Sequence, residues 1–447
     1  MVRSKPEGVR SVKKGVWSWV LAGVVWAAPA SAQPAAPEAP SFPTIDLWGG
    51  FPKVDAGAPF LPLDDAWPKR WSRNGHVGVV EEITSPIYRP EGERWGFSVK
   101  AKPAASVPEA RMLLGESAPD GLQVLLEGPG AFVVGAELRP EGVKVPRRRQ
   151  FNADLTFRFV SAQEEGPALI RIERTWFAYF APEGLEGNAR PRAVVLLMPG
   201  MFGTPEPVAS GLTISLRKRG MGVLRMIAHP SRLTERLELT LDPSGDLEGE
   251  AKRAAAAFDS REAECAYAAQ AAFLHLESSR EETVGVPSVV VGFSAGGITL
   301  APVVARDSGR YQAAVMVGAG CHWWLMNEKS NYRTFIDAIE VTWSAPAAEA
   351  DRARVRETYL QAARLDSYNT AQAMRGRATL MIQGAADMAV PTPLGDVLWE
   401  RCGRPERWMV DGGHELLFMQ LSSYYERIGE WIEGRLAPGN ADKAVGP

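Results

Sequence analysis

Cysteine is scarce in this chain. Only Cys265, Cys321 and Cys402 occur among 447 residues, too few and too scattered for a disulfide scaffold or a paired CxxC metal centre. Three thiols allow at most one disulfide and always leave one over; the expected reading is buried small hydrophobes, with a single disulfide as the alternative. An excess of either charge is also missing: 50 Lys and Arg face 53 Asp and Glu, for a net charge of -3. That near-neutrality argues against recognition of nucleic acid through a charged surface. No metal-ligand cluster and no phosphate-cradling glycine loop is present, so no metal and no cofactor is expected. Histidine is rare too. His76, His229, His275, His322 and His414 are the whole set, which narrows the search for a catalytic base.

What is present fits a globular protein. Hydrophobic residues make up 45% and charged residues 23%, which excludes a disordered chain and a multispanning membrane protein. The length allows two or three domains.

The first residues read as an address. Lys5, Arg10, Lys13 and Lys14 precede the apolar stretch Gly15 to Ala28, and Ala30-Ser31-Ala32 supplies the small residues of a cleavage site. This is the layout of a secretory signal peptide cut after Ala32. The apolar stretch, about 14 residues, falls short of the ~20 needed to span a bilayer, so no stable membrane anchor is expected. No cysteine stands near the cut, which excludes a bacterial lipoprotein anchor. Residues 33–43 form a Pro/Ala linker. The expected destination is the periplasm or the medium.

Residues 44–150 read as a β-rich N-terminal region. Gln123 to Leu126 and Ala131 to Val134 are strand-like, with Pro119-Asp120-Gly121 and Gly128-Pro129-Gly130 as turns around them. The charge run Arg147-Arg148-Arg149 is a solvated boundary. From residue 151 to 436 the rhythm becomes α/β. Leu169 to Arg174 and Thr175 to Phe180 alternate as an antiparallel pair. Ala193 to Met198, Gly222 to Ile227, Pro287 to Gly292, Ala313 to Val317 and Ala378 to Ile382 are apolar runs of strands buried on both faces. Helical stretches lie between them, notably Val208 to Arg219 and Glu250 to Leu276, which predicts a mostly parallel sheet flanked by helices. Residues 437–447 are a tail.

The sharpest local signal is Gly292-Phe293-Ser294-Ala295-Gly296, a G-x-S-x-G directly after an apolar strand and before the helix-compatible Ile298 to Ala305. Small residues on both sides let strand and helix approach at a sharp turn that exposes the serine hydroxyl. With this elbow, the chain from about Gln150 onwards resembles an α/β-hydrolase. In that superfamily the acid and the histidine follow the nucleophile along the chain, and matching segments do follow. Gly384-Ala385-Ala386-Asp387-Met388-Ala389-Val390-Pro391 is similar to the family's acid loop. Gly412-Gly413-His414, after the short strand Arg407 to Val410, is similar to its histidine loop.

The resemblance implies a Ser294-His414-Asp387 triad, with Asp411 a turn residue. It implies an oxyanion hole from the backbone N–H of Ala295 and of Met201, in the turn after the strand ending at Met198. This chain has Pro199-Gly200 where the family often has His-Gly. Phe202, Phe293, Trp323 and Trp324 are the expected substrate contacts, with core aromatics as the alternative for the two tryptophans. A lid-like insertion is expected at about 322–375, and Leu237 to Leu241 adds a strand or an arm.

The implied activity is that of a secreted serine hydrolase on a small-molecule ester, carboxylesterase- or lipase-like. The alternatives are a serine peptidase or other acyl-transfer enzyme, and a non-catalytic binding protein. The N-terminal region shows no blade repeat, which excludes a propeller. Dehalogenase and epoxide-hydrolase relatives carry aspartate at the elbow, and Ser294 disfavours both.

Overall fold

The computed structural model describes residues 48–68, 153–166, 169–184, 189–201, 204–227, 233, 237–334 and 339–436, with the backbone of short strands between 79 and 150. The expected signal peptide, the linker and the C-terminal tail lie outside these residues.

Six short strands come first: β1 (Val79–Glu82), β2 (Ile87–Arg89), β3 (Lys102–Pro103), β4 (Gln123–Leu126), β5 (Val133–Val134) and β6 (Arg149–Gln150). The body then adds β7 (Leu155–Gly166), β8 (Leu169–Phe180), β9 (Val194–Met198) and β10 (Gly222–Met226). After these come β11 (Leu237–Leu241), β12 (Ser288–Phe293), β13 (Tyr311–Val317), β14 (Ile339–Trp343), β15 (Ala378–Gly384) and β16 (Glu406–Val410). The main sheet runs β1-β7-β8-β10-β9-β12-β13-β15-β16. From β10 to β16 every neighbouring pair is parallel, while β8 is antiparallel to both β7 and β10.

The continuous apolar runs are explained by burial on both faces. In β9, Val194, Leu196 and Met198 point into one core and Val195 and Leu197 into the other. Neighbouring strands divide the same way, because side chains alternate across a strand. One core is closed by α1 (Glu206–Lys218) together with α9 (His414–Gln420) and α10 (Tyr425–Leu436). The other is closed by α2 (Leu247–Ser279), α4 (Leu300–Arg306) and α8 (Thr392–Arg401). Helix α2 begins earlier than the Ala-rich stretch suggests. Asp246 caps it by accepting the Gly249 N–H at 2.8 Å, the usual role of an aspartate at that position.

The structure departs from the sequence expectation at two places. Leu169 to Arg174 and Thr175 to Phe180 are not a pair but one strand, β8, because neither glycine nor proline interrupts them. Its partner is β7, with Gly166 opposite Leu169. The body also starts before residue 151. Residues 48–68 lie across it, and Phe60, Leu63 and Trp67 pack on the α2-side core. Arg401, fully buried, donates to the carbonyls of Ala56 (3.1 Å) and Ala58 (2.8 Å). Its guanidinium sits 4.1 Å from the Phe60 ring and 3.6 Å from that of Tyr368. This strap has no sequence period, because its backbone groups are satisfied by side chains of distant helices.

The lid-like insertion is built from two excursions of the chain. Strands β11 and β14 pair in parallel, Leu237 opposite Ile339 and Leu241 opposite Trp343. Leu239 and Leu241 face inward and Glu238 and Thr240 outward, the alternation of a half-buried ribbon. Helix α6 (Glu349–Ala362) packs on α2, where Tyr359 meets Phe258 edge to face at 5.7 Å. All three cysteines are buried, and none of them is in a disulfide.

Candidate active site

The chain leaves β9 for β10 on one side and later enters β12 on the other. The strand order therefore reverses between β9 and β12, and the carboxyl ends at such a switch point are where ligands bind in open α/β sheets. Ser294 stands at this point. It follows β12 and precedes α3 (Ala295–Ile298), with φ 52° and ψ −116°. A non-glycine residue at positive φ is strained, by ~1–3 kcal/mol, and persists only where its surroundings hold it. Here the Ser294 N–H is tied to the Val317 carbonyl of β13 at 2.8 Å.

The glycines of the elbow are a steric necessity. A Cβ on Gly292 would stand 2.2 Å from the Gly296 carbonyl oxygen. A Cβ on Gly296 would stand 2.5 Å from the carbonyl oxygens of both Met198 and Pro199. The second contact brings the turn after β9 directly against the elbow.

Asp387 follows β15 and His414 follows β16 as the first residue of α9. His414 Nε2 lies 2.9 Å from Ser294 Oγ, and His414 Nδ1 lies 2.6 Å from Asp387 Oδ2. The Asp387 side chain is buried, and its Oδ1 accepts the N–H groups of Ala389 (3.0 Å) and Val390 (2.9 Å). Thr392 locks this loop, accepting from the Asp387 N–H at 3.1 Å and donating to the Gly384 carbonyl at 3.0 Å. With Nδ1 donating to the carboxylate, Nε2 is left to accept from the serine hydroxyl. Asp411 is exposed at the turn before α9.

Ala295 opens α3, so its N–H has no intrahelical acceptor. In the facing turn Pro199 has no N–H, and that of Gly200 is taken by Thr204 Oγ1 at 3.2 Å. Met201, half-buried, is thus the next backbone donor along that turn.

The aromatic expectations divide. Phe202 and His229 lie outside the described residues. Phe293 is core: it is 1% exposed and its ring meets Phe418 at 6.3 Å. It also lines a small pocket beside Pro199 and Arg225. Trp323 and Trp324 are buried in one cluster with Ala295, Ile298, Phe258 and Tyr359. Trp323 stacks on Phe258 at 5.9 Å and its indole N–H donates to Glu262 Oε1 at 2.5 Å. Both are buried in that cluster, an arrangement that fits the core-aromatic alternative. His322 is also buried, parallel to Tyr359 at 5.5 Å, and burial lowers its pKa to about 3.

Two further residues stand beside the histidine. Phe418, one turn along α9, meets the imidazole edge-on at 5.0 Å, a pairing the i, i+4 spacing makes possible. Tyr332, from the lid-like insertion, meets it at 5.8 Å, which no local pattern announces.

Three buried carboxyl groups join the insertion to the body. Asp366 accepts the N–H groups of His322 (2.8 Å), Trp323 (2.9 Å) and Tyr368 (2.9 Å) and the Tyr359 hydroxyl (2.9 Å). Asp259 accepts those of Arg364 (3.0 Å) and Leu365 (2.9 Å). Burial raises the Asp259 pKa from 3.8 to about 7, and burial also raises those of Glu262 and Asp366. A carboxyl raised on folding contributes stability that is full below its unfolded pKa, near 3.8, and lost as pH rises through about 7. The melting temperature of Asp259→Asn is therefore expected to fall less steeply than that of the parent between about pH 4 and 7. Equal slopes for the two proteins would refute that coupling.

No family model matches the sequence, and no curated protein matches it. Among solved structures the chain is similar to the esterase Est1E from Butyrivibrio proteoclasticus, at 12% identity and TM-score 0.38, covering 59% of this chain and 95% of that one. It is similar to the esterase domain of a Rhodothermus marinus protein, at 15% identity and TM-score 0.37, covering 59% of this chain and 94% of that one. An acylaminoacyl peptidase from Pyrococcus horikoshii, at 11% identity and TM-score 0.38, is matched over 65% of this chain and 50% of its own length. These likenesses concern the backbone. This chain's own parallel sheet, its flanking helices and the serine elbow at the point where strand order reverses have the arrangement of an α/β-hydrolase fold.

Proposed function

We propose that this protein is an exported serine hydrolase that cleaves a carboxylic ester through an acyl-enzyme. The observation that carries the reading is the chain from Asp387 through His414 to Ser294, with hydrogen-bond distances of 2.6 and 2.9 Å, ending on a serine held at positive φ. In the proposed reaction His414 Nε2 takes the Ser294 hydroxyl proton while Oγ attacks the ester carbonyl carbon. The tetrahedral oxyanion accepts from the N–H groups of Ala295 and Met201. The carbon–oxygen bond to the alcohol then breaks, and the proton on His414 passes to the leaving oxygen. Water, giving a proton to His414, attacks the acyl-serine. The acid leaves, Ser294 recovers its proton, and the net change is ester plus water to acid plus alcohol. No step calls for a cofactor.

The surroundings favour an apolar substrate. Met388 follows the proposed acid, and Leu416 and Met419 share the outer face of α9 beside His414; Met419 is 65% exposed. Exposed apolar groups in such a setting suit binding more than solvation. The test is a panel of p-nitrophenyl esters of increasing acyl length beside matched peptide p-nitroanilides. Hydrolysis of esters with little action on anilides is the expected result. Faster cleavage of anilides would move the reading to a peptidase, and no action on any member would contradict it.

Export rests on the basic, apolar and small-residue segments that end at Ala32. N-terminal sequencing of the secreted or periplasmic protein should begin at Gln33. An intact Met1 on exported material would contradict cleavage.

A further inference from the structure

Two loops from separate strands must keep register for the triad to work, the acid loop after β15 and the histidine loop after β16. They are joined directly by the bond between His414 and Asp387 and by the Ala386 N–H on the Gly412 carbonyl at 2.9 Å. A third element spans both. It is the segment 330–332 of the lid-like insertion, distant from either loop in sequence.

On the acid side, Ser330 Oγ donates to the Ala389 carbonyl at 2.7 Å, and the Asn331 N–H donates to the Met388 carbonyl at 3.0 Å. Ala389 is also one of the two residues whose N–H groups hold Asp387 Oδ1. Ser330 Oγ further accepts the Tyr332 N–H at 3.0 Å, which fixes where the tyrosine begins. On the histidine side, the Tyr332 hydroxyl donates to Glu415 Oε1 at 2.5 Å, and Glu415 is the residue after His414. The tyrosine ring stands edge-on to the imidazole, centroids 5.8 Å apart and planes at 80°. With Phe418 at 5.0 Å, it leaves the imidazole with an aromatic contact from each of two separate elements.

We propose that Tyr332 and Glu415 are positioning residues: a clamp by which the insertion holds the acid and histidine loops in mutual register. The proposal rests on the serine-hydrolase reading above. In that reaction the imidazole must swing little between taking the serine proton and delivering it to the leaving oxygen. A misplacement of about 1 Å can cost ~10²-fold in rate. The hydroxyl–carboxylate bond is of the charge-assisted kind, short and directional. Loss of this one bond should therefore cost roughly tenfold in kcat. Because the pair acts on the histidine and not on the ester, KM should stay unchanged.

The experiment uses the full chain and the ester the parent cleaves best. Tyr332→Phe keeps the ring and removes the hydroxyl; Glu415→Ala removes the acceptor; Glu415→Gln keeps an acceptor oxygen without the charge. The expected results are a kcat about tenfold lower for Tyr332→Phe and for Glu415→Ala, with KM and melting temperature unchanged, and recovery of most of the rate in Glu415→Gln. The double variant Tyr332→Phe/Glu415→Ala should be no slower than either single one, since both remove the same bond. Parental kcat in Tyr332→Phe, or losses that multiply in the double variant, would overturn the clamp. A fluorophosphonate probe run on each variant separates the two levels. Labelling and turnover by the parent with no effect of Tyr332→Phe defeats the clamp alone, whereas a parent that neither labels nor turns over defeats the reading beneath it.

Discussion

Ser294→Ala is expected to lower ester hydrolysis by about 10⁶-fold, the scale on which removal of a triad serine acts. The substitution takes away one oxygen and nothing else. The residue stays at positive φ and its backbone tie to Val317 is unaffected, so the melting temperature should hold. What remains would be the modest catalysis of the oxyanion donors and of binding alone. Activity near the parental level with the fold intact would remove the foundation of the proposed mechanism. Measurement of kcat beside a thermal melt decides between a chemical and a structural loss.

The next largest effect is expected from Asp387→Asn, a fall in kcat of about 10⁴-fold. The reason is local and can be followed atom by atom. The asparagine carbonyl can still accept the N–H groups of Ala389 and Val390, so the loop keeps its form. The amide NH₂ then faces His414 Nδ1, where the carboxylate oxygen had been. A donor there selects the tautomer protonated on Nε2, which cannot accept the serine proton. Asp411→Asn is the control, because Asp411 is exposed at the turn before α9 and should leave kcat unchanged. The reverse outcome, an active Asp387→Asn and an inactive Asp411→Asn, would reassign the acid.

The candidate site was legible because each part depends on residues contiguous in sequence. The serine turn needs small residues at Gly292 and Gly296, and their spacing is visible in five letters. The loops that carry Asp387 and His414 each follow a short strand, and their order along the chain supplies the rest. The central strands were legible for a similar reason, since burial on both faces leaves runs such as Val194–Met198 with no polar interruption. Where strand meets strand without a break, as at Arg174 and Thr175, the pattern suggested two elements and the structure has one.

Contacts between distant residues were not legible. The pairing of β11 with β14 joins two excursions that neither announces the other. The strap of residues 48–68 has no period because it is held by Arg401, Tyr368 and Gln372 through its carbonyls. Trp323 and Trp324 illustrate the same limit. Their sequence position suited a substrate wall and a core equally, and only the stacking on Phe258 and the bond to Glu262 place Trp323 in the core. Tyr332 lies farthest from any local rule, as its partners His414 and Glu415 belong to the last loop of the sheet.

The most direct measurement is mass spectrometry of the intact protein and its peptides after reaction with a fluorophosphonate probe. One adduct per chain is expected, carried by the peptide that contains Ser294, formed by the parent and absent from Ser294→Ala. An adduct on another residue, or no adduct on a folded chain that hydrolyses esters, would contradict it.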